Sequence, residues 1–341
     1  MGVNLDSLII KKEINIEELN GKKFAVDSFN MLYQFLTTIR QPDGSLLTDS
    51  KGRITSHLSG LFFRISALMK NNIKLIFVFD GISPELKKEE KERRQEIKKE
   101  AFLKYKKAVE EQDIELMKKY ASRATYLTKE MIEESKKLIS FFGFPIIEAP
   151  SEGEAQAAYL VKNNDAYAVL SQDTDSLLFG SSRVIKNLSV SKKRKMLNKK
   201  TYVPVNPELI ELSNILNHYS IDIDQLIVIA MLCGTDFNIG GIKGIGPKKA
   251  LELIKKHNKN FDLIFNEVKW NDFFENDWKI VFKTIKEMPV KKDYLLEYKE
   301  IDKKNIYNML VQDYEFNKER VENILNEISK KKEQKGLGDF F

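Results

Sequence analysis

Four short runs of β-branched, aromatic and other apolar residues stand between residues 22 and 173. They are Lys22 to Ser28 (KKFAVDS), Ile73 to Gly81 (IKLIFVFDG), Phe144 to Pro150 (FPIIEAP) and Ala166 to Asp173 (AYAVLSQD). Each is brief and is followed by turn-forming residues, the pattern of a buried strand. Between them, apolar positions recur at helical spacing, as in Ser56 to Lys70 and Thr128 to Phe142. Strands alternating with amphipathic helices predict βαβ units and an α/β fold with a central, mostly parallel twisted sheet flanked by helices. Helical patterns continue from Pro207 to Cys233 and from Lys318 to Lys332.

The polar positions that interrupt this pattern carry the chemistry. Asp27, Asp80 and Asp173 each sit at the carboxyl end of an expected strand. Glu152 and Glu154 follow the run ending at Pro150 and open the next helix, with Ser151 expected as its N-cap. In open α/β sheets the ligand crevice lies outside the carboxyl ends of the strands, so these acids are expected at one edge of one sheet. With Asp175 and Asp236 the set numbers seven carboxylates. Like charges so crowded must hold protons or bind cations. Oxygen donors without His or Cys suit Mg²⁺ or Mn²⁺, and two such ions can activate water and stabilise the leaving oxygen of a phosphodiester. For a lone acid, a solvated residue or a helix cap is the ordinary reading. A glycosidase also uses paired carboxylates, but it needs only two and leaves the basic segments unexplained.

Those segments change the picture more than the net charge does. The chain carries 56 basic and 50 acidic residues, a formal +6, which by itself permits nucleic acid or an acidic partner. From Pro84 to Lys107, ten Lys or Arg and six Glu make a segment charged nearly all round, which predicts a long exposed helix leaving directly from the acidic edge. It reads as a solvated helix or as a set of cations facing that edge. Lys186 to Lys200, with seven basic residues including Lys192, Lys193 and Arg194, predicts a basic hairpin. Edge protection and phosphate contact both account for it. In GIKGIGPKKA, Gly244 and Gly246 allow a tight turn, Pro247 suits a helix start, and the exposed N–H groups with Lys248 and Lys249 can cradle a phosphate. This is the hairpin pattern of helix-hairpin-helix DNA binders.

The sequence QKGLGDFF holds Gln334, Leu337, Phe340 and Phe341 after a lysine-rich tether and suits a partner's hydrophobic pocket. The single Cys233 excludes an internal disulfide and a thiolate metal cluster, and predicts a buried thiol in a reducing interior. No apolar stretch approaches a membrane span and no signal peptide is expected, so the location predicted is cytoplasmic.

These motifs resemble the flap endonuclease family of structure-specific 5′ nucleases, in its archaeal form. MGVNL, AVDSFNMLYQFL, TSHLSGLFFR, FVFDG, APSEGEAQAAYL, SQDTDSLLFG, GTDFNIGGIKGIGPKKAL and QKGLGDFF occur in the family's order along essentially the whole chain. The resemblance implies a PIN-like 5′ nuclease core with a helical arch and a helix-two-turn-helix module. It implies a nuclease region at 1–105 and an arch running from Pro84 to about Lys129 with its cap segment at 106–127. A second nuclease region would span 128–257, including the hairpin at 234–257, followed by a helical part at 258–329 and a tail at 330–341.

The implied activity is Mg²⁺-dependent cutting of 5′ flaps, with 5′-3′ exonuclease activity, in Okazaki fragment maturation and base excision repair. The seven acids match the family's metal ligands, for two Mg²⁺ with Mn²⁺ able to substitute. Lys87 and Arg94 match the basic pair at the base of the arch. Tyr33 matches an aromatic that stacks beside the cut, Arg40 falls near the single-strand junction, and Gly2 matches a small residue close to the active site. K⁺ is implied at the hairpin, a PCNA-type sliding clamp at the terminal motif, and a monomer when alone. Thr174 and Phe237 stand where the family has Tyr, and Ser83-Pro84 replaces Pro-Pro. Rival readings are a 5′ exonuclease, a junction resolvase, a PIN-type ribonuclease and a non-catalytic clamp-tethered binder.

Overall fold

Alternation along the second strand sets the layers of the molecule. Phe24 and Val26 belong to one hydrophobic core and Ala25 to the other, all three fully buried, as the two-residue period of a strand requires. The computed structural model describes residues 5–188, 193–195 and 202–333. Gly2, Lys192, Gln334, Leu337, Phe340 and Phe341 lie outside the described residues, and Lys193 and Arg194 are described by their backbone alone.

The strands are β1 (Lys11–Glu13), β2 (Lys23–Asp27), β3 (Lys74–Phe79), β4 (Ile146–Glu148), β5 (Ala168–Leu170), β6 (Arg183–Lys186), β7 (Lys193–Lys195), β8 (Tyr202–Pro204) and β9 (Glu208–Glu211). One sheet takes the order β1-β9-β6-β5-β2-β3-β4, and β7 pairs with β8 as an antiparallel ribbon where the basic hairpin is expected. Strands β6, β5, β2, β3 and β4 run parallel, while β9 lies antiparallel between β6 and β1. The sheet is therefore mostly parallel, and the four runs expected as strands are β2, β3, β4 and β5. The stretch from Pro207 is not helical throughout, since its first residues form β9. Leu209 and Ile210 suit either element, and pairing with β6 and β1 decides for a strand.

The helices are α1 (Ser28–Thr38), α2 (Ser56–Lys70), α3 (Lys88–Glu110), α4 (Ile114–Ala121), α5 (Lys129–Phe141), α6 (Gly153–Lys162), α7 (Leu212–Tyr219), α8 (Ile223–Cys233), α9 (Pro247–His257), α10 (Phe261–Glu267), α11 (Trp278–Lys286), α12 (Lys303–Tyr307) and α13 (Lys318–Glu333). Phe35 of α1, Phe62 of α2, Leu138 of α5 and Leu325 of α13 fill the core on one face of the sheet. Leu160 of α6, Leu226 of α8 and Ile254 of α9 fill the other. α3 buries only Glu90, Ala101 and Ala108 and packs on α4. Among the described residues no single helix is long and apolar enough to cross a membrane.

Chain order then places the crevice. From β2 the chain moves outward through β3 to β4 and returns to lay β5 on the other side of β2. The direction of winding reverses between β2 and β5, which opens a crevice at their carboxyl ends.

Candidate active site

Asp27 ends β2 and caps α1, its Oδ1 accepting the Asn30 N–H at 3.0 Å. Asp80 follows β3 directly, and its Oδ1 accepts the Gly153 N–H at 2.7 Å. That bond corrects the expectation for Ser151, because α6 begins at Gly153 with Glu152 in the cap position and no capping side chain of its own. Its leading N–H is satisfied from the neighbouring strand instead. A Cβ on residue 153 would stand 2.5 Å from Asp80 Oδ1, so a larger residue would displace that carboxylate. Asp173 lies beyond β5, Asp175 begins the next single turn, and Asp236 follows α8. All seven acids line one cleft of about 660 Å³ together with Tyr33, Lys87 and Arg94.

Crowding shows in the proton affinities. Burial, then the charge of Asp80, pushes the Asp27 carboxyl up to about 7, although the Asn30 N–H works in the other direction. Enclosure in the cleft, then Glu152, pushes Asp80 up to about 6, against the pull of Gly153 N–H and Lys87. Glu154 is raised well above the usual range by burial, then by Asp175, Asp27 and Asp173. On the other side of the cleft, cations do the balancing. Lys87 Nζ lies 2.5 Å from Glu152 Oε2 and 3.3 Å from Asp236 Oδ2. Arg94 Nη2 lies 2.7 Å from Asp236 Oδ1, and its Nε bonds Glu90. Burial opposes the charge on Lys87, but Glu152 and Asp236 outweigh it and hold the amine above its ordinary value.

The donor set fits a hard divalent cation. Every candidate ligand is a carboxylate oxygen, and burial together with neighbouring carboxylates raises Asp27, Asp80 and Glu154 above the usual carboxylate range. Among the described residues no three acidic side chains are arranged to hold one ion by themselves. Mg²⁺ does not require that, because it keeps several waters and binds through one or two carboxylates.

The remaining candidates fall in three places. Tyr33 lines the cleft beneath α3, where Lys98 Nζ lies 4.5 Å from its ring centre and 3.1 Å from its hydroxyl. Arg40 is turned into the protein, donating to Gly44 O at 2.8 Å and to Thr125 Oγ1. Gly244 adopts φ +82°, open only cheaply to glycine, and Gly246 precedes Pro247, the first residue of α9. Lys248 and Lys249 are exposed on the first turn of α9. Sequence reasoning passed over Asn30, Ser171 and Lys98, all in or beside the cleft. Lys98 lies one helical turn beyond Arg94, and Asn30 three residues after Asp27, where a cap receives its bond. Those spacings are the signals that could have found them.

Known proteins resemble the chain along nearly its whole length. Residues 1–101 match the XPG N-terminal domain and residues 143–236 match the XPG I-region. Flap endonuclease 1 of Pyrococcus abyssi is 48% identical over 337 residues, covering 97% of this chain and 94% of that protein. Flap endonuclease 1 of Staphylothermus marinus is 47% identical over 351 aligned residues, covering 100% of both. The solved flap endonuclease-1 from Methanococcus jannaschii superposes with a TM-score of 0.75 at 42% identity, over 96% of this chain and 98% of that one. The catalytic core of Rad2 in complex with DNA substrate gives a TM-score of 0.66 at 26% identity, over 93% of this chain and 96% of that one. With identity at this level along its whole length, the chain belongs to the flap endonuclease family and is a nuclease.

Proposed function

We propose that this protein removes 5′ flaps from branched DNA by hydrolysing one phosphodiester at the junction of single and double strand, with 5′-3′ exonuclease activity on nicked ends. The observation that carries the reading is the gathering of seven carboxylates in one cleft, with Lys87 and Arg94 entering it from the base of α3. Asp27, Asp80, Glu152, Glu154, Asp173, Asp175 and Asp236 would hold two Mg²⁺, or Mn²⁺ in their place. When bound, the ions would supply an activated water and neutralise charge on the leaving oxygen.

The protein's own groups do the rest. Lys87 and Arg94 are kept charged by Glu152 and Asp236, and a phosphate entering the cleft offers them a second anionic partner. They would polarise the scissile phosphate and stabilise the charge it gains. Tyr33 would stack on the base beside the cut, and residues 84–129 would enclose the flap. Water oxygen bonds to phosphorus as the bond to the 3′ oxygen breaks. The flap leaves with a 3′-hydroxyl and the duplex strand keeps a 5′-phosphate.

Gly244, Gly246, Lys248 and Lys249 would grip duplex phosphates, with K⁺ at the hairpin, and Lys192, Lys193 and Arg194 would add contacts. Phosphate contacts predict steep weakening with salt and little sequence preference. Gln334, Leu337, Phe340 and Phe341 would anchor the monomer to a PCNA-type clamp during replication and base excision repair, in the cytoplasm about the nucleoid.

The test is a 5′-labelled double-flap DNA incubated with Mg²⁺ or EDTA, with and without clamp. A single Mg²⁺-dependent cut at the junction, stimulated by clamp, is expected. Tight binding without cutting would overturn the catalytic reading, and cutting indifferent to the junction would overturn the substrate. A clamp without effect would remove the anchor alone.

A further inference from the structure

We propose that Asn30 is a positioning residue that sets Asp27 and Asp173 in place for a divalent cation. The inference rests on the metal reading above and assigns one half of the cleft a restraint of its own.

Asn30 uses its backbone N–H and both polar atoms of its side chain. Its backbone N–H donates to Asp27 Oδ1 at 3.0 Å. Its side-chain Oδ1 accepts the Gln172 N–H at 3.0 Å, and its Nδ2 donates to Asp173 Oδ2 at 2.9 Å. The direction of the amide follows from chemistry. The Gln172 N–H is a donor and the Asp173 carboxylate offers only acceptors, so oxygen faces the first and nitrogen the second. Ser171 closes the ring. Its Oγ donates to Asp27 Oδ2 and accepts the Asp173 N–H, both at 3.2 Å. Asp27 ends β2 and Asp173 follows the adjacent β5, at the point where the winding reverses, and this ring restrains the rotation of both carboxylates.

The restraint is neutral, and that distinguishes it from the other half of the cleft. Glu152 and Asp236 are held by Lys87 and Arg94, cations that an incoming ion must compete with. An amide and a hydroxyl orient Asp27 and Asp173 without offsetting their charge. The need for a cation remains there in full, and the first ion is expected on that side. Outer hydrogen-bond partners of metal ligands are worth roughly 10–100-fold in affinity.

The test uses the full chain without DNA and Mn²⁺ alone as probe, with free Mn²⁺ read by electron paramagnetic resonance. Asn30→Leu fills the space, so no water replaces the amide. It should weaken the tighter Mn²⁺ site by about 10-fold or more while the chain still melts cooperatively in EDTA, a few degrees lower for the unpaired Gln172 N–H. Asn30→Ala, easier to pack, should show a smaller loss in the same direction and decides the matter if the Leu variant does not fold. In an Asp173→Asn background the same substitutions should add little, because the carboxylate ligand that Asn30 orients is already gone. Wild-type Mn²⁺ affinity in the folded variants, or an equal fold-loss in both backgrounds, overturns the proposal alone. A wild-type chain that takes up no Mn²⁺ overturns the metal reading and the proposal with it.

Discussion

The cleft at the strand ends and the cluster around His57 both enclose ionisable side chains, yet their charges are arranged in opposite ways. In the cluster, the one carboxylate has partners that favour its charge. His57, fully buried at the start of α2, has Nε2 2.8 Å from Glu134 Oε2 on α5. The Tyr314 hydroxyl donates to the same carboxylate, and the Arg53 guanidinium lies 4.2 Å from the Tyr314 ring centre. Burial raises the Glu134 carboxyl, but the bonds from His57 and Tyr314 outweigh it and hold it below its ordinary value. In the cleft, Asp27, Asp80 and Glu154 are all driven up. A fold gains nothing from buried like charges. The difference separates a cluster that holds α2, α5 and the 313–315 segment together from one whose like charges suit the proposed cation site.

The largest effect expected from that contrast is on cutting. Asp173→Ala removes a proposed ligand and should reduce flap cleavage by more than the roughly 100-fold cost of losing an outer partner, with flap affinity in Ca²⁺ or EDTA retained. Normal turnover, measured on a labelled flap, would take Asp173 out of the metal set and leave the cleft without its proposed purpose.

Much of the contrast was legible before the fold was known, but only on one side. Asp27, Asp80 and Asp173 stand at the ends of apolar runs, so strand position and acid position were read together. The period of α2 and α5 was equally plain. The His57 cluster was not legible, because residues 57, 134 and 314 share no local pattern and meet only through packing. The same reason hid β9, whose partners lie far away in sequence, and the capping of Gly153 by Asp80 in place of Ser151. Asn30 went unread because its spacing from Asp27 is an ordinary helix start. Its bond to Asp173 depends on β5 returning beside β2.

The second effect is on stability and should differ in sign between the two clusters. Glu134→Leu leaves the buried His57 nitrogen and the Tyr314 hydroxyl without their acceptor, at about 2–3 kcal/mol, on the order of 5 °C in melting temperature. Asp27→Asn keeps a good N-cap and removes a repelling charge, so in EDTA its melting temperature should equal or exceed that of the wild type. A comparable drop in both variants by calorimetry would erase the distinction.

The smallest effect is the pH dependence of the metal-free chain, and it tests the same distinction without a mutation. A carboxyl raised on folding binds more protons in the folded chain than in the unfolded one, so stability falls as pH rises from its ordinary value through the folded one. For Asp27 and Asp80 that window runs from the ordinary 3.8 to about 7 and about 6. Glu134 works the other way. Its contribution is complete above its ordinary 4.5 and is lost only as pH falls through its lower folded value. Between pH 5 and 8 the cleft therefore governs the carboxyl contribution. In EDTA the melting temperature should decline by a few degrees across that range. Asp27→Asn should flatten the decline, and Mg²⁺ should abolish it, because the ion supplies the charge that protons supply at low pH. A metal-free melting temperature that rises from pH 5 to 8 would mean the acids are relieved by something other than protons or cations, and the two clusters would no longer be opposites.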